Sequence, residues 1–557
     1  MKIGIFICHC GHNIKHTVDV KKLSQYFKQF PNVVVSEDYP FVCSEPGQDM
    51  ITESIQNQGL DRVLIASCTP SLHQEMFRGV LREAGLNPFL LRQVSIREHC
   101  SWVGDDLEIN TEKARRLILG GLYSGAHHVA LEEKVVDVNK SALVVGGGVS
   151  GLSAAAFLSK MGMHVYLVEK EAELGGHVLA LKNIWPSRRD GKDIVDEMAK
   201  ELSRRENVEI LTSTKISAFE GFFGNYEVTL DTPEGEKKIT AGGAVIAVGF
   251  SPFDPIVKPE LNYGKDERII TTLEFEEKID TLKLPEHPRV AILHCVGSRD
   301  EQIGKAYCSR ICCVNALRVG EAVKNKCKDS YVESFYMDVR AHPRGAEEFY
   351  EDTQEKGVLF TRGNISELIP GPKGILVRGE DTLLGELFER EFDLVVLSIG
   401  MSSPVDSREI ASLFKITLDK DKFFLEAHIK LRPFDTAVKG IFIAGACSGP
   451  KDVEESINHG RASALKLFGF LNLGYAYVDP FISFVDPKRC SGCRMCERAC
   501  FSKAIKYNAD EKVVHVEEAA CMGCGLCNST CPSSAISLRG YIDMMIDDEI
   551  GALTEAM

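Results

Sequence analysis

Eight cysteines near the carboxyl end are spaced for iron. Cys490-x2-Cys493-x2-Cys496-x3-Cys500 is followed by Cys521-x2-Cys524-x2-Cys527-x3-Cys531-Pro532. In this spacing three thiolates cap three irons of one [4Fe-4S] cube and the fourth crosses to the other, so one small domain must fold around both clusters. Phe501 stands where the first run usually has proline, a departure that leaves the ligands intact. A second group is less regular: Cys295, Cys308, Cys312 and Cys313 fall in VAILHCVGSRDEQIGKAYCSRICCVNAL. Apolar strand, turn and helix are the frame of a dinucleotide site, and that frame depends on glycines that let a pyrophosphate approach the backbone. Here cysteine takes the first turn position and only Gly297 follows. NAD(P) is therefore disfavoured at this turn, and a different ligand is expected.

A complete fingerprint lies upstream. Gly146, Gly148 and Gly151 form G-x-G-x-x-G directly after an apolar strand, an Ala-rich helix follows, and the strand HVYLVE ends at Glu169. The glycines serve the tight turn, the close approach of pyrophosphate and helix packing, while Glu169 can accept from a ribose hydroxyl. The fingerprint alone does not choose the dinucleotide. Gly175 and Gly176, VIAVGF around Gly249, and KGIFIAGACSGPKDVEESINHGRASA resemble the FAD domain of two-dinucleotide-domain flavoproteins. There the last segment returns a strand and a helix N-terminus beneath the flavin, which would place Gly445, Ala446 and Cys447 where Gly-Asp is usual. Cys447 reads as a buried small residue, with a redox thiol as the alternative.

The elements that must position these groups follow from periodicity. Residues 1–133 alternate apolar strands with helical patterns; IGIFIC and DRVLIASC end in cysteine, so Cys8 or Cys10 and Cys68 fall at one edge of a sheet. Cys43 and Cys100 lie in loop-like settings. Buried thiols packing as hydrophobes, or zinc on Cys8, Cys10 and His12, are the competing readings of this group. Residues 134–287 are expected to form the first part of the FAD domain, and 288–400 a degenerate NAD(P)-type domain carrying a cluster. Residues 401–476 return to the FAD domain, and 477–557 form the two-cluster domain. Beyond Cys531, Ile542, Met545, Ile546, Ile550 and Leu553 recur at helical spacing beside acidic residues. The expected helix packs that stripe on its own domain or docks a partner.

Composition bounds the class. The 557 residues suffice for several domains, and a net charge of -15 disfavours nucleic acid. No secretory leader or stretch of about 18 apolar residues is read. Nineteen cysteines without an export signal point to metal ligation in the reducing cytoplasm rather than to disulfides.

With these motifs in order, nearly the whole chain resembles the A subunit of heterodisulfide reductase, its flavin and iron-sulfur subunit. CHCG, FVCSEPGQ, ASCTPSLHQEMFR, REHCSW, the flavin fingerprint, HCVGSRD with YCSRICC and the paired cluster motifs carry the resemblance. The chain looks like a shorter member, because NIWPSRRDGKDIVDEM after Gly176 holds no cysteine where larger members insert a ferredoxin-like domain. The implied fold class is α/β, a thioredoxin-reductase-like two-dinucleotide-domain core with an N-terminal iron-sulfur domain and a C-terminal two-cluster ferredoxin domain. The resemblance implies FAD and four [4Fe-4S] clusters. One cluster is on Cys295, Cys308, Cys312 and Cys313, and another is set on Cys10, Cys43, Cys68 and Cys100 with Cys8 as the main rival to Cys10. Sixteen of the 19 cysteines are then used. Arg318, about 7.5 Å along the expected helix from Cys313, would reach the flavin where the family often has lysine; a salt-bridged arginine is the alternative. The implied function is two-electron to one-electron conversion, with electron bifurcation at FAD as a further family trait. Partners would be the other subunits of such a complex, with a ferredoxin or a dehydrogenase or hydrogenase module, around a homodimer core. A self-contained flavin-dependent ferredoxin:NAD(P) or disulfide oxidoreductase fits less well, lacking a second fingerprint and a flavin-side dithiol. An electron conduit with inert flavin is the third reading.

Overall fold

A computed structural model describes residues 1–554. The chain divides into two units, one made of residues 1–135 and those from 477 onward, the other of residues 136–476.

The first unit begins with a four-stranded parallel sheet in the order Val33–Tyr39, Ile3–Cys8, Arg62–Ser67, Leu91–Ser95. IGIFIC is buried along its whole length, as a central parallel strand covered on both faces must be. From the two central strands the chain leaves in opposite directions, which opens a crevice at their carboxyl ends. The helix Leu107–Ala126 covers one face. Its start is fixed by Asp106, whose carboxylate accepts from the Glu108 and Ile109 N–H groups at 2.9 Å.

The same unit ends in a small domain of two antiparallel strand pairs, Ser483–Val485 with Ile536–Leu538 and Ile505–Asn508 with Val513–Val516. The short helices Met495–Ala499 and Leu526–Thr530 each follow the second cysteine of a motif. Its buried core is Cys496, Ile505, Val514, Cys527 and Ile536. So few apolar side chains cannot hold a domain of this size without help from bound metal.

The final helix, Asp543–Thr554, buries Met545 and Ala552 but leaves Ile546, Ile550 and Leu553 exposed, as is Ile542 just before it. Of the expected stripe only Met545 packs inward; Ile542, Ile546, Ile550 and Leu553 face solvent. Asp548 and Glu549 turn inward instead, because His127, Arg92 and Ser124 wait there with hydrogen-bond donors.

In the second unit a five-stranded parallel sheet runs Ile441–Ile443, Gly243–Ile246, Ser141–Val145, His164–Val168, Val208–Leu211. The helices Val149–Lys160 and Val453–Leu471 pack on it. The second of these begins in a capping box: the Asp452 carboxylate accepts from the Glu455 N–H at 2.8 Å and Glu455 accepts from the Asp452 N–H at 3.1 Å. A second sheet runs Ile269–Thr271, Leu394–Ile399, Arg289–Val296, Tyr331–Tyr336, Val358–Pro370, Ile375–Asp381, Glu386–Phe392; the first five strands are parallel and the last two antiparallel.

Candidate cofactor sites

The turn after Ser141–Val145 opens into a cavity of about 850 Å³, within the size range of cofactor pockets. Gly146 has φ +104, and a Cβ there would overlap the Ala247 carbonyl; a Cβ on Gly151 would overlap the Gly146 carbonyl oxygen. A Cβ on Gly148 would meet nothing within 4 Å, so this backbone is bare toward the cavity, as pyrophosphate approach requires. Glu169 is buried; its carboxylate accepts from Gly147 N–H at 2.5 Å and Glu171 N–H at 2.8 Å. Gly175, Gly176, Gly249 and Ala446 also line the cavity. Gly445 stands just behind, its N–H donating to His459 Nδ1 at 3.0 Å. Burial and Lys451 lower the His459 pKa to about 3, so the ring stays neutral and accepts. Cys447 is fully buried and donates to the carbonyls of Ala444 and Ile246 at 3.1 and 3.3 Å; burial pushes its thiol up to about 11. It is a packed thiol.

Sequence reasoning passes over Arg310 and Lys451, both in the cavity wall. Arg310 donates to Glu455 Oε1 at 2.6 Å, and burial lowers the Lys451 pKa. Their only sequence signal is their place, one before the cysteine-bearing helix and the other before the capping box. Arg318 lines the cavity too, but its guanidinium is buried and bonded to Glu276 Oε1 at 2.6 Å and to the carbonyls of Asn183 and Lys182. Its charge is thus balanced in place.

Cys295, Cys308, Cys312 and Cys313 are brought together. Burial first, and then the neighbouring cysteines, raise the pKa of Cys295 to about 11 and that of Cys312 well above its usual value; Cys313 moves the same way. Such mutual repulsion is what a positive metal core relieves. Backbone N–H groups of Arg310 and Arg340 donate to the sulfurs of Cys308 and Cys313 at 3.3 Å. Ile311, Val314 and Asn315 of the same segment line the flavin-type cavity. The second nucleotide turn is closed: a Cβ on Gly297 would overlap the ring of Phe253, which is itself buried.

At the crevice of the first unit, Cys10, Cys43 and Cys68 converge on Arg97, and Cys8 lies beside Cys10 and Cys43. The Cys10 N–H donates to Cys8 Sγ at 3.2 Å, and Arg97 Nη1 donates to Cys10 Sγ at 3.1 Å. Burial raises Cys8 to about 11, with Cys10 and Cys43 adding to it; burial also raises Cys43, helped by Cys10, and Cys68, helped by Glu98 and then Cys10, both against Arg97. Cys100, expected in this set, lies in the same buried core as Cys8 but shows no interaction with Cys8, Cys10, Cys43 or Cys68 among its partners. It is fully buried in the hydrophobic core, its Sγ donates to the Asn110 carbonyl at 3.1 Å, and the charge acting on it is Lys113. The physical reason is the single π-turn Arg97–Ser101, which directs Cys100 inward. Among the described residues no three His, Cys, Asp or Glu side chains close around a single ion, and this holds for the cysteine groups as it does for Cys8, Cys10 and His12.

In the small domain Cys496 and Cys527 are buried and act on one another; burial first raises Cys496 to about 11. Ser483 places its N–H 3.4 Å from Cys521 Sγ and its Oγ 3.0 Å from Cys527 Sγ, and Ala535 N–H donates to Cys531 Sγ at 3.3 Å. Cys490, Cys500 and Cys531 pack against the same core, while Cys493 and Cys524 are exposed. Donors aimed at sulfur suit thiolates bound to iron.

A family model of pyridine nucleotide-disulphide oxidoreductases matches residues 140–462, and one of the 4Fe-4S dicluster domain matches residues 489–535. The class is therefore an α/β flavoprotein oxidoreductase of the pyridine nucleotide-disulphide type, with an FAD-binding domain and a C-terminal dicluster ferredoxin domain. The chain is 36% identical to the second iron-sulfur A subunit of CoB–CoM heterodisulfide reductase of Methanopyrus kandleri, over 91% of each chain. It is 35% identical to the corresponding A subunit of Methanocaldococcus jannaschii, again over 91% of each, and 34% identical over 92% of each to the A subunit of H(2):CoB-CoM heterodisulfide,ferredoxin reductase of Methanothermobacter marburgensis. It belongs to the family of heterodisulfide reductase A subunits. The first alignment runs over 599 positions, more than the 557 residues here, so that relative carries inserted residues. Among solved structures, thioredoxin reductase of Lactococcus lactis covers 60% of this chain and 99% of its own, at 16% identity and a TM-score of 0.44. No helix among the described residues is long and apolar enough to cross a membrane.

Proposed function

We propose that the chain is the FAD and [4Fe-4S] electron-transfer subunit of a heterodisulfide-reductase-type complex, holding four clusters and working in the cytoplasm. Its partners are the other subunits of that complex and a ferredoxin or a dehydrogenase or hydrogenase module, around a homodimeric flavoprotein core. The observation that carries this reading is a shared wall. Ile311, Val314 and Asn315 line the cavity opened by the glycine fingerprint, and Cys312 and Cys313 lie between them on the same segment. When bound, FAD exchanges electrons in pairs and iron-sulfur clusters one at a time, so a chain holding both converts between the two.

The protein's own residues supply binding and electrostatics. Gly148 leaves backbone bare for pyrophosphate, and Glu169 is positioned for a ribose once its carboxylate exchanges the Gly147 N–H. Glu276 pairs with Arg318 in the cavity wall, so the charge that Arg318 would offer a bound flavin is already balanced. The cluster ligands are Cys295, Cys308, Cys312 and Cys313; Cys8, Cys10, Cys43 and Cys68; and the eight cysteines of the small domain, with Cys500 and Cys531 crossing over. Cys100, Cys327 and Cys447 remain outside. Bifurcation is the finer reading. The printed name of the Methanothermobacter marburgensis relative pairs a heterodisulfide with ferredoxin, which supports two acceptors here.

The test is anaerobic reconstitution of the full chain. One FAD and about sixteen irons per chain are expected; Cys312→Ala should lose about four irons, keep FAD and slow flavin reduction by the partner subunits. Fast reduction by NADH with only about eight irons would favour the self-contained oxidoreductase instead, a reading that Phe253 over Gly297 disfavours.

A further inference from the structure

The C-terminal helix leaves most of its apolar stripe exposed. Helices at a protein surface turn their apolar stripe inward, yet Asp543–Thr554 buries only Met545 and Ala552 and makes its other inward contacts through Asp548 and Glu549. Ser124 Oγ donates to Glu549 Oε1 at 2.8 Å, His127 bonds Asp548 at 2.7 Å, Arg92 pairs with Glu549, and Arg116 donates to the Leu553 carbonyl at 3.4 Å. Ile542, Ile546, Ile550 and Leu553, at spacings of four, four and three, make one line facing away. They are between 43 and 57% exposed. The helix is thus held by Met545, Ala552 and these polar contacts, and the line of Ile542, Ile546, Ile550 and Leu553 is left exposed.

Two features say what covers it. The line is edged by exposed Asp543 and Asp547, and no lysine or arginine occurs from Gly540 to the end of the chain. A second copy would bring the same acids against one another, and an anionic membrane surface would repel them. The complement is an apolar face bordered by basic residues. The line also starts beside a cluster loop: Tyr541 packs on the Phe481 ring at 5.3 Å, and the Phe481 carbonyl lies against Gly523, between Cys521 and Cys524.

We propose that this helix is the docking site for a redox partner protein that presents an apolar helical face rimmed by lysine or arginine and exchanges electrons at the Cys521–Cys531 end of the small domain. The electron-transfer part rests on the function proposed above; the docking part does not.

The experiment uses the full, cofactor-loaded chain and a dye-labelled amphipathic peptide with a leucine stripe bordered by lysines, beside a matched peptide bordered by glutamates. The lysine peptide should bind at least about tenfold tighter, about 1.4 kcal/mol, and weaken with salt. Ile546→Asp with Ile550→Asp should abolish its binding, and Asp543→Lys with Asp547→Lys should reverse the preference between peptides. FAD and iron per chain should match wild type in both variants. Equal binding of the two peptides, or binding untouched by the isoleucine pair, overturns the proposal. So does self-association or vesicle adsorption of the wild-type chain that the isoleucine pair abolishes. Docking as expected on a chain that takes up no iron in the small domain would sink the proposed function and leave the docking site standing.

Discussion

Replacing Cys8 and Cys100 by alanine, one at a time, separates a metal ligand from a core thiol. Cys8 ends a central strand at the crevice and is pushed up by Cys10 and Cys43 after burial. If these sulfurs hold a cluster with Cys68, Cys8→Ala removes one of four anchors and about four irons per chain go with it. Cys100→Ala removes a single buried sulfur and its bond to the Asn110 carbonyl. A thiol is a weak donor, so the bond is worth about 0.5 kcal/mol. The atom-sized void adds about 0.5 kcal/mol at about 24 cal/mol per Å³. The sum, about 1 kcal/mol, lowers the melting midpoint by roughly 4 °C and leaves iron untouched. Iron per chain after anaerobic reconstitution, with the spectrum of the reduced protein, reads the difference. Loss of iron in Cys100→Ala with full iron in Cys8→Ala would refute the reasoning from burial and mutual charge.

Arg97→Met should keep the iron of the N-terminal cluster but lower its midpoint potential on the order of 50 mV. The donor 3.1 Å from Cys10 Sγ is charge-assisted, worth about 1.5–3 kcal/mol, part of which favours the more negative reduced state; an unchanged potential in a redox titration would make Arg97 structural. Gly151→Ala forces a Cβ onto the Gly146 carbonyl and should weaken FAD binding by at least about tenfold, about 1.4 kcal/mol, while iron content stays whole; flavin fluorescence measures it. Chelation of iron should unfold the small domain at residues 477–554 before the rest, since its core holds three aliphatic residues beside two thiols; amide exchange that stays slow there after iron removal would contradict this.

What the sequence makes legible is what is local to the chain. The cysteine spacings and the glycine fingerprint depend on residues a few positions apart, and both fall at strand ends and helix starts. The N-terminal set is harder, because it draws one sulfur from each of several loops. Cys10 at φ +50 and Gly11 at φ +63 curl the chain after the first strand, which keeps both Cys8 and Cys10 at the crevice, whereas the turn at Arg97–Ser101 sends Cys100 inward. No periodicity announces either. The tail stripe is equally plain in the sequence, but the face that docks is decided by Arg92, 457 residues from its partner Glu549. Arg310 and Lys451 carry no motif; they matter through the cavity that distant segments enclose.

The second nucleotide turn shows how one backbone frame changes ligand. Its strand, Arg289–Val296, slips register against Leu394–Ile399 between Leu293 and Val296, and Cys295 sits in that bulge at φ +58. A side chain held in the left-handed region costs of order 1–3 kcal/mol, a strain worth keeping only if the sulfur must point off the strand end. Phe253 fills the space over Gly297 that a pyrophosphate would need. The helix Cys312–Lys326 starts with Ile311 and no capping side chain, so its first N–H groups stay available to a negative ligand. In a dinucleotide site that ligand is the pyrophosphate; in the proposed cluster site the thiolates of Cys312 and Cys313, on the same helix, would stand in its place. The electrostatic demand of strand, turn and helix is the same in both cases, and under the proposed assignment cysteine in place of glycine at the turn lets iron and sulfur answer it.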